Sequence, residues 1–402
     1  MAHRDIWQKP LLHLEETRAE RRPTTWLELF FDLFIVVAVS QLSSQLSSDI
    51  TWGGVGVFVV QFLAVFWFWV GITFYQERFE SEGLENRFFL FFLMACVAGM
   101  SVFAQHGLTD YYVGFFVSYL AGRVFVFVMW VRAAWHNPGP VRPMVARFAV
   151  GFLVSTSVHL LSLSAEGSTR VTLFTSGLLI EVLLPLSWLG INSKLPPVSK
   201  SKHPERFGLF TLVVLGETVV AVVSGLRGAR MITYQEALTA ALALPLCFGM
   251  WWVYYDFIGR RPFKAISGVL YGWVYAHYVL FLCVVATGAG VLNLIKDSGG
   301  MPQIGAHWLT TGAMAGFFLI TAILEKTLEA TPDEPTDPLW SPLLKALAAP
   351  VAVGIGFWQD SARGLMGWLG VLLAVQMAYG AWRWFTQELN PPAEDTGTGI
   401  SG

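Results

Sequence analysis

The chain has 402 residues, of which 54% are hydrophobic and 13% are charged, and its formal net charge is −2. A soluble globular domain carries about 25% charged residues, so this composition excludes an ordinary soluble fold. The charge balance also argues against a nucleic-acid partner, because no basic surplus is present to neutralise phosphates.

Apolar residues come in blocks of about twenty, the length that a helix needs to cross a hydrocarbon core of ~30 Å. In chain order these blocks span residues 26–47, 53–75, 86–105, 111–136, 145–165, 171–191, 206–226, 232–258, 267–292, 305–327, 339–358 and 362–386. We therefore predict an all-α fold, a polytopic transmembrane bundle of about twelve helices. The block 339–358 is the least regular, since it contains Pro342, Lys345 and Pro350.

The polar stretches between the blocks are too short to bury a core of their own, so no soluble catalytic domain is predicted. The first residues are polar and charged, unlike the apolar stretch of a cleavable signal peptide. We predict a cytoplasmic tail over residues 1–24, a first six-helix half over 25–192, a second half over 193–388 and a disordered cytoplasmic tail over 389–402.

The distribution of positive charge predicts an orientation. If the blocks cross the membrane in alternating directions, 19 of the 26 Lys and Arg residues lie on the side of the N-terminal tail. Arg123 and Lys345 lie within blocks, and the opposite side carries only Arg170, Arg227, Arg230, Lys296 and Arg363. By the positive-inside rule, both termini are predicted to lie in the cytoplasm.

A faint internal repeat relates the two halves. Block one reads ELFFDLFIVVAVS from Glu28, and block seven reads ERFGLFTLVVLGE from Glu205. In the same way, FWFWVGIT from Phe66 in block two is similar to GMWWVYYD from Gly249 in block eight. Halves of six helices each have the same orientation, so we predict a parallel 6+6 repeat.

Two segments resemble the signatures of a known family. The run Trp26-Leu-Glu-Leu-Phe-Phe-Asp-Leu33 resembles the opening signature of the bacterial low-temperature-requirement A (LtrA) family, and His203-Pro-Glu-Arg-Phe-Gly-Leu, leading into Leu215-Gly-Glu217, resembles the second signature. The resemblance implies a multi-pass protein of the bacterial inner membrane. It implies no settled activity, because the family is named for growth in the cold.

Ionisable side chains inside the blocks are the candidate functional residues. A charge at the centre of a membrane helix costs ~2.5–3.5 kcal/mol on insertion scales, and such groups face the bundle interior. We place Arg123, Glu181, Glu217 and His277 in the middle third of blocks four, six, seven and nine. Asp32 lies nearer the cytoplasmic end of block one. These five residues are the predicted substrate- or ion-binding set.

Arg123 keeps its charge in a protein and therefore needs an anion nearby. Asp32, Glu181 or Glu217 could supply that anion. Two interpretations stay open: a buried ion-pair network that fixes helix packing, and a proton- or ion-coupled transport site. The transport interpretation predicts that Asp32, Arg123 and Glu217 line one cavity.

Glu28, Trp69, Trp252 and Asp256 are secondary candidates. Glu28 could instead complement the positive end of a helix dipole, and Asp256 could form an interfacial ion pair with Arg260 or Arg261. Tryptophans, including Trp67, could stack on a ligand or belong to interfacial belts.

Cofactors cannot be assigned from the sequence. His159 and His277 could bind haem, but no spacing motif supports this, and a lone apolar-face His is more often a hydrogen-bonded packing residue. The three cysteines lack CxxC spacing, so they are predicted to be buried hydrophobes, and no metal site is predicted.

Three functional hypotheses remain. The first is a proton- or ion-coupled transporter of a small solute, and the second is a structural or sensory membrane protein linked to cold or stress tolerance. The third is a membrane-embedded enzyme acting on lipid, quinone or haem. The lipid bilayer is the predicted environment, with a small solute or ion as the candidate partner, and nothing in the sequence indicates an oligomeric state.

Overall fold

The computed structural model describes residues 9–12, 25–80, 83–139, 141–186, 202–227, 232–259, 261–266, 268–297, 303–330 and 337–389. The first six helices in these ranges are α1 (Trp26–Ser48), α2 (Trp52–Arg78), α3 (Leu84–Val102), α4 (Tyr112–His136), α5 (Val141–Ser162) and α6 (Gly167–Leu183). The next six are α7 (Lys202–Leu226), α8 (Tyr234–Phe257), α9 (Val269–Lys296), α10 (Ile304–Thr327), α11 (Trp340–Trp358) and α12 (Ala362–Leu389). Two-residue strands β1 (Leu11–Leu12) and β2 (Phe79–Glu80) pair antiparallel.

These helices confirm the predicted all-α, polytopic bundle. Eleven of them are long and apolar enough to cross a membrane. The remaining helix, α6, has 17 residues and falls just short of that length. The tails predicted over residues 1–24 and 389–402 lie almost wholly outside the described residues.

The start of α1 shows why the chain becomes helical at this point. The Thr25 hydroxyl accepts a hydrogen bond from the Glu28 backbone N–H at 3.2 Å, and the Glu28 carboxylate accepts one from the Thr25 backbone N–H at 2.9 Å. This capping box satisfies two amides that have no partner within the helix. Glu28 therefore caps the first turn of α1.

The helix α11 continues through both of its prolines. Pro342 is in the first turn, where a backbone N–H has no partner within the helix in any case. Pro350 lies inside the helix, where it removes one backbone hydrogen bond. Helices in membrane bundles tolerate such prolines more readily than soluble helices do.

Helices α2, α9 and α10 form the buried centre of the bundle, and α9 packs against α1, α2, α7, α8 and α10. A side chain at Gly290 of α9 would collide with the hydroxyl and backbone of Thr310. The small-residue run around Gly290 thus allows α9 and α10 to approach closely, as at other membrane helix interfaces.

Outward faces carry large apolar side chains. Phe88 and Phe91 of α3, Val113 of α4, and Val150 and Leu153 of α5 are each more than half exposed in the isolated chain. Lipid tails would cover such a surface, since a soluble protein rarely exposes so much contiguous apolar area.

Six helix–helix contacts in the first predicted half have counterparts at equivalent positions in the second half. In the first half, α1 packs against α2 and α3, α4 packs against α3 and α5, and α6 packs against α2 and α5. In the second half, α7 packs against α8 and α9, α10 packs against α9 and α11, and α12 packs against α8 and α11. A parallel repeat would produce this correspondence, and the division into halves stays a prediction.

We use "N-terminal face" for the end of the bundle where α1, α7 and α11 begin and where α2, α8 and α10 end. Lys345, near the start of α11, is fully buried there. Its ammonium group lies 3.0 Å from Glu325 Oε2 of α10 and donates a hydrogen bond to Ser341 Oγ at 2.7 Å. The same ammonium lies 3.5 Å from the centre of the Phe257 ring of α8. Lys345 therefore ties three helices together.

Replacement of Lys345 by Met should lower the free energy of unfolding by roughly 3 kcal/mol, because it leaves the Glu325 carboxylate buried without its nearest cation. Chemical or thermal unfolding of the purified protein in detergent measures this change. Lys326→Met is the matched control, since Lys326 is an exposed neighbour of Glu325. Equal losses in the two variants would contradict a stabilising role for the buried pair.

Candidate functional site

A cavity of about 130 Å³ lies between α2, α4, α5, α6 and α9. Its outer end lies at the N-terminal face, where Arg78 ends α2 and Tyr271 is in the first turn of α9. Its inner end reaches Arg123, the twelfth of the 25 residues of α4. The cavity therefore runs from one face of the bundle to the middle of a membrane-spanning helix.

Arg123 and Glu181 form an ion pair at the inner end of the cavity. The Nε atom of Arg123 lies 2.7 Å from Oε2 of Glu181. The same oxygen accepts a hydrogen bond from the Tyr119 hydroxyl at 2.9 Å, and Oε1 accepts one from the Ser155 hydroxyl at 3.0 Å. His159 Nδ1 lies 3.8 Å from Oε1. Glu181 is thus held by side chains from α4 and α5.

The two members of this pair differ in exposure. The Glu181 side chain is 3% exposed, whereas the Arg123 side chain is 14% exposed and lines the cavity. Gly71 of α2 faces the guanidinium, and a Cβ atom at Gly71 would lie only 3.1 Å from Arg123 Nη1. The missing side chain at Gly71 thus leaves room for the guanidinium beside the cavity.

The sequence predicted Glu181 near the middle of its helix, but the structure places it in the last turn. Helix α6 begins at Gly167, four residues before the predicted block, so Glu181 is the fifteenth of 17 helical residues. It nevertheless reaches Arg123, because α6 runs beside α5 and places its last turn next to the middle of α4. Of the three anions considered for Arg123, the structure selects Glu181.

The prediction that Asp32, Arg123 and Glu217 line one cavity is wrong. Arg123 lines the cavity, whereas Asp32 and Glu217 are not among its described lining residues. Glu217 of α7 is 9% exposed and interacts with the Ser40 hydroxyl of α1. The candidate set is therefore divided among separate places in the bundle.

Asp32 belongs to a second polar centre, between α1, α2 and α7. Its Oδ1 atom accepts hydrogen bonds from the Trp69 indole N–H at 2.7 Å and from Arg206 Nη2 at 3.2 Å. Arg206 Nη1 donates another to Gln76 Oε1 at 2.6 Å. Trp69 is fully buried and stacks on Phe210, so its indole supports Asp32 instead of facing the cavity.

The second polar centre extends to the N-terminal face. Glu28 Oε1 lies 3.3 Å from Lys202 Nζ and 3.9 Å from Arg206 Nη1. One turn along α7 from Arg206, His203 Nδ1 pairs with the Glu77 carboxylate of α2. We call the residues Glu28, Asp32, Trp69, Gln76, Glu77, Lys202, His203 and Arg206 the N-terminal-face network.

Arg206 is the main residue that sequence reasoning missed. The predicted block began at residue 206, which placed Arg206 at the membrane boundary, where a charged side chain costs little free energy. Helix α7 begins at Lys202, so Arg206 is one turn inside the helix and only 2% exposed. The repeat gives no signal for Arg206, because the residue aligned with it in block one is Leu29.

His277 lies in an aromatic cluster and is fully buried. Its Nδ1 atom lies 2.8 Å from the Trp273 carbonyl oxygen, and its Nε2 atom lies 3.1 Å from the Tyr254 hydroxyl. His159 Nε2 lies 3.1 Å from the Phe174 carbonyl oxygen. Both imidazoles are therefore engaged in hydrogen bonds between or within helices.

The remaining secondary candidates lie on α8. The Trp252 ring packs edge-on against Phe248 and is not among the described cavity residues. Asp256 is half-buried near the end of the helix, and its predicted neighbour Arg260 lies outside the described residues. In the described ranges, no cluster of three or more His, Cys, Asp or Glu side chains is arranged to hold a metal ion.

Replacement of Arg206 by Met should lower the free energy of unfolding by roughly 3 kcal/mol, because Asp32 then stays buried without its cation. The double variant Asp32→Asn, Arg206→Met should recover part of that loss, since it removes both charges. Unfolding in detergent measures these changes, and Arg227→Met, at an exposed position just after α7, is the control. Additive losses in the double variant would contradict a direct Asp32–Arg206 interaction.

Comparison with known proteins gives the family but no activity. The chain is 26% identical over 257 residues to Uncharacterized protein RA0937 of Rhizobium meliloti (strain 1021), and the match covers 60% of each chain. It thus spans three fifths of the length of that relative, and no solved structure matches it. Residues 23–377 match the model of the bacterial low temperature requirement A protein family, so this multi-pass membrane protein belongs to the LtrA family.

Proposed function

We propose that this protein is a secondary transporter that moves a small solute together with a proton. The Arg123–Glu181 ion pair at the inner end of the cavity carries the proposal. Ionisable groups inside membrane segments commonly mark substrate or proton pathways. Burying them costs free energy, so they are rarely found there without a function. The cavity also gives these groups access from one face of the bundle.

Glu181 is the proposed proton acceptor. A carboxylate can take up a proton and become neutral, whereas Arg123 keeps its charge. The charged or titratable side chains that face Glu181 or share its cavity come from four helices: Tyr119 and Arg123 on α4, His159 on α5, Arg78 on α2, and Tyr271 and Tyr275 on α9.

The need for charge balance couples solute binding to protonation of Glu181. The Arg123–Glu181 pair is neutral overall, and a second charge in a low-dielectric cavity is strongly disfavoured. Protonation of Glu181 frees the guanidinium for another partner, and a solute that supplies that partner restores neutrality. The solute and the proton therefore bind together more readily than either binds alone.

The N-terminal-face network is the proposed contact between two moving halves. Asp32, Trp69 and Gln76 come from residues 25–192, whereas Arg206 comes from residues 193–388. In transporters built from repeats, one half rocks against the other around a central site. We place the N-terminal face and both termini in the cytoplasm of a bacterium and the bundle in its inner membrane.

Reconstitution in liposomes tests the proposal. With a pH-sensitive dye inside, a panel of small anionic, neutral and cationic solutes should contain at least one class whose entry carries protons into the lumen. Glu181→Gln should abolish the proton movement, because the amide cannot be protonated in the carboxylate's place. Glu85→Gln is the matched control, since Glu85 is also buried and pairs with α4 through Arg132 at 3.3 Å, away from the cavity.

The control should retain solute-driven proton movement. If no solute on the panel moves protons, or if Glu181→Gln behaves like the native protein, the transport proposal is wrong. Loss of stability without any change in flux would then favour the structural or sensory alternative, in which these charges fix helix packing.

A further inference from the structure

The cavity that Arg123 lines differs from the N-terminal-face network because most of its described lining residues are apolar. Eight of its nineteen described lining residues are aromatic, and three are charged. Two aromatic pairs form parallel surfaces: Trp67 with Tyr275 at an interplanar angle of 16°, and Phe127 with Phe152 at 11°. A hydrophilic solute or a bare ion would lose hydration here without enough polar partners to replace it.

The charge at the inner end of the cavity favours an anionic ligand group. Among the described lining residues, Arg123 and Glu181 lie at the inner end, and Arg78 lies at the outer end, where it interacts with the nearby Glu77 carboxylate. Part of the Arg123 side chain is exposed to the cavity, whereas the Glu181 side chain is almost fully buried. An anionic group on a ligand would meet Arg123 first, and a guanidinium binds carboxylates through two parallel hydrogen bonds.

The volume limits the apolar part of such a ligand. At about 130 Å³, this cavity is close in size to an apolar cavity of about 150 Å³ in another protein that binds benzene. A single six-membered ring therefore fits inside, whereas a longer acyl chain or a fused polycyclic body would extend out through the opening at the N-terminal face.

We propose that the cavity binds a small monocarboxylate whose body is one aromatic or alicyclic ring, with its carboxylate on Arg123 and its ring between the aromatic walls. This inference names the solute class of the proposed transporter and rests on that proposed function. When Glu181 is protonated, the ligand carboxylate replaces it as the counter-ion of Arg123. Arg123, the neutral Glu181 and the ligand carboxylate then carry no net charge together, and one proton enters with each ligand.

The test compares four probes on the full chain in lipid nanodiscs by titration calorimetry. Benzoate has both the ring and the charge, benzamide has the ring alone, acetate has the charge alone, and benzylamine has the opposite charge. Benzoate should bind about tenfold or more tightly than any of the other three, because only it can use both the guanidinium and the aromatic walls. Equal binding of benzamide or acetate would overturn the proposal.

Two variants locate the site. Arg123→Gln should weaken benzoate binding by about tenfold or more while leaving the weak benzamide binding unchanged. Gly71→Ala keeps the charge but adds a methyl group 3.1 Å from Arg123 Nη1, so it should weaken benzoate binding as well. Gly272→Ala of α9 is its control, because a methyl group there meets open space. Native benzoate affinity in Arg123→Gln would place the ligand elsewhere and overturn the proposal.

Measurements of proton flux distinguish the proposed ligand class from the proposed transport function. Benzoate binding without proton movement in liposomes would support this ligand class and contradict transport. Proton movement driven by another solute, with no benzoate binding, would contradict this ligand class and leave transport standing.

Discussion

Arg206 makes the contact on which the arrangement of the bundle depends. Its guanidinium joins α7 to Asp32 of α1 and to Gln76 of α2, and the Trp69 indole donates another hydrogen bond to Asp32. A buried Arg cannot lose its charge, so its partners must come from other helices and must be held in position. The two segments that resemble signatures of the family therefore meet in one place: Asp32 belongs to the first, and Arg206 to the second.

The bundle separates its charges into centres with different surroundings. In the N-terminal-face network, side chains from α1, α2 and α7 contact one another through hydrogen bonds and ion pairs within a packed interior. At Arg123 and Glu181, the ion pair instead borders a cavity with aromatic walls. Phe74 connects the two, because it lines the cavity and its ring packs edge-on against the His203 ring at 4.8 Å. A ligand in the cavity would thus touch a residue that contacts the network.

The fold was largely predictable, and the site was predictable only in part. The positions of Arg123 and Glu181 inside apolar blocks indicated buried charges that need partners, and the structure pairs them. The choice of Glu181 over Asp32 or Glu217 depends on which helices are neighbours, and sequence periodicity does not carry that information. Arg206 was missed for another reason: an error of four residues at a helix start moves a side chain by one turn, from the boundary into the interior.

The sequence by itself determined the membrane-spanning architecture, because blocks of apolar residues of bilayer length leave the backbone no stable alternative to a helix in lipid. It also determined the family, through the two signature segments. Only the tertiary structure decided which charges meet, because the Arg123–Glu181 and Asp32–Arg206 pairs join helices that are not consecutive in the chain. Arg123 and Glu181 line a cavity, whereas Asp32 and Arg206 are not among its described lining residues, because the packing of α2, α4, α5, α6 and α9 leaves space beside Arg123.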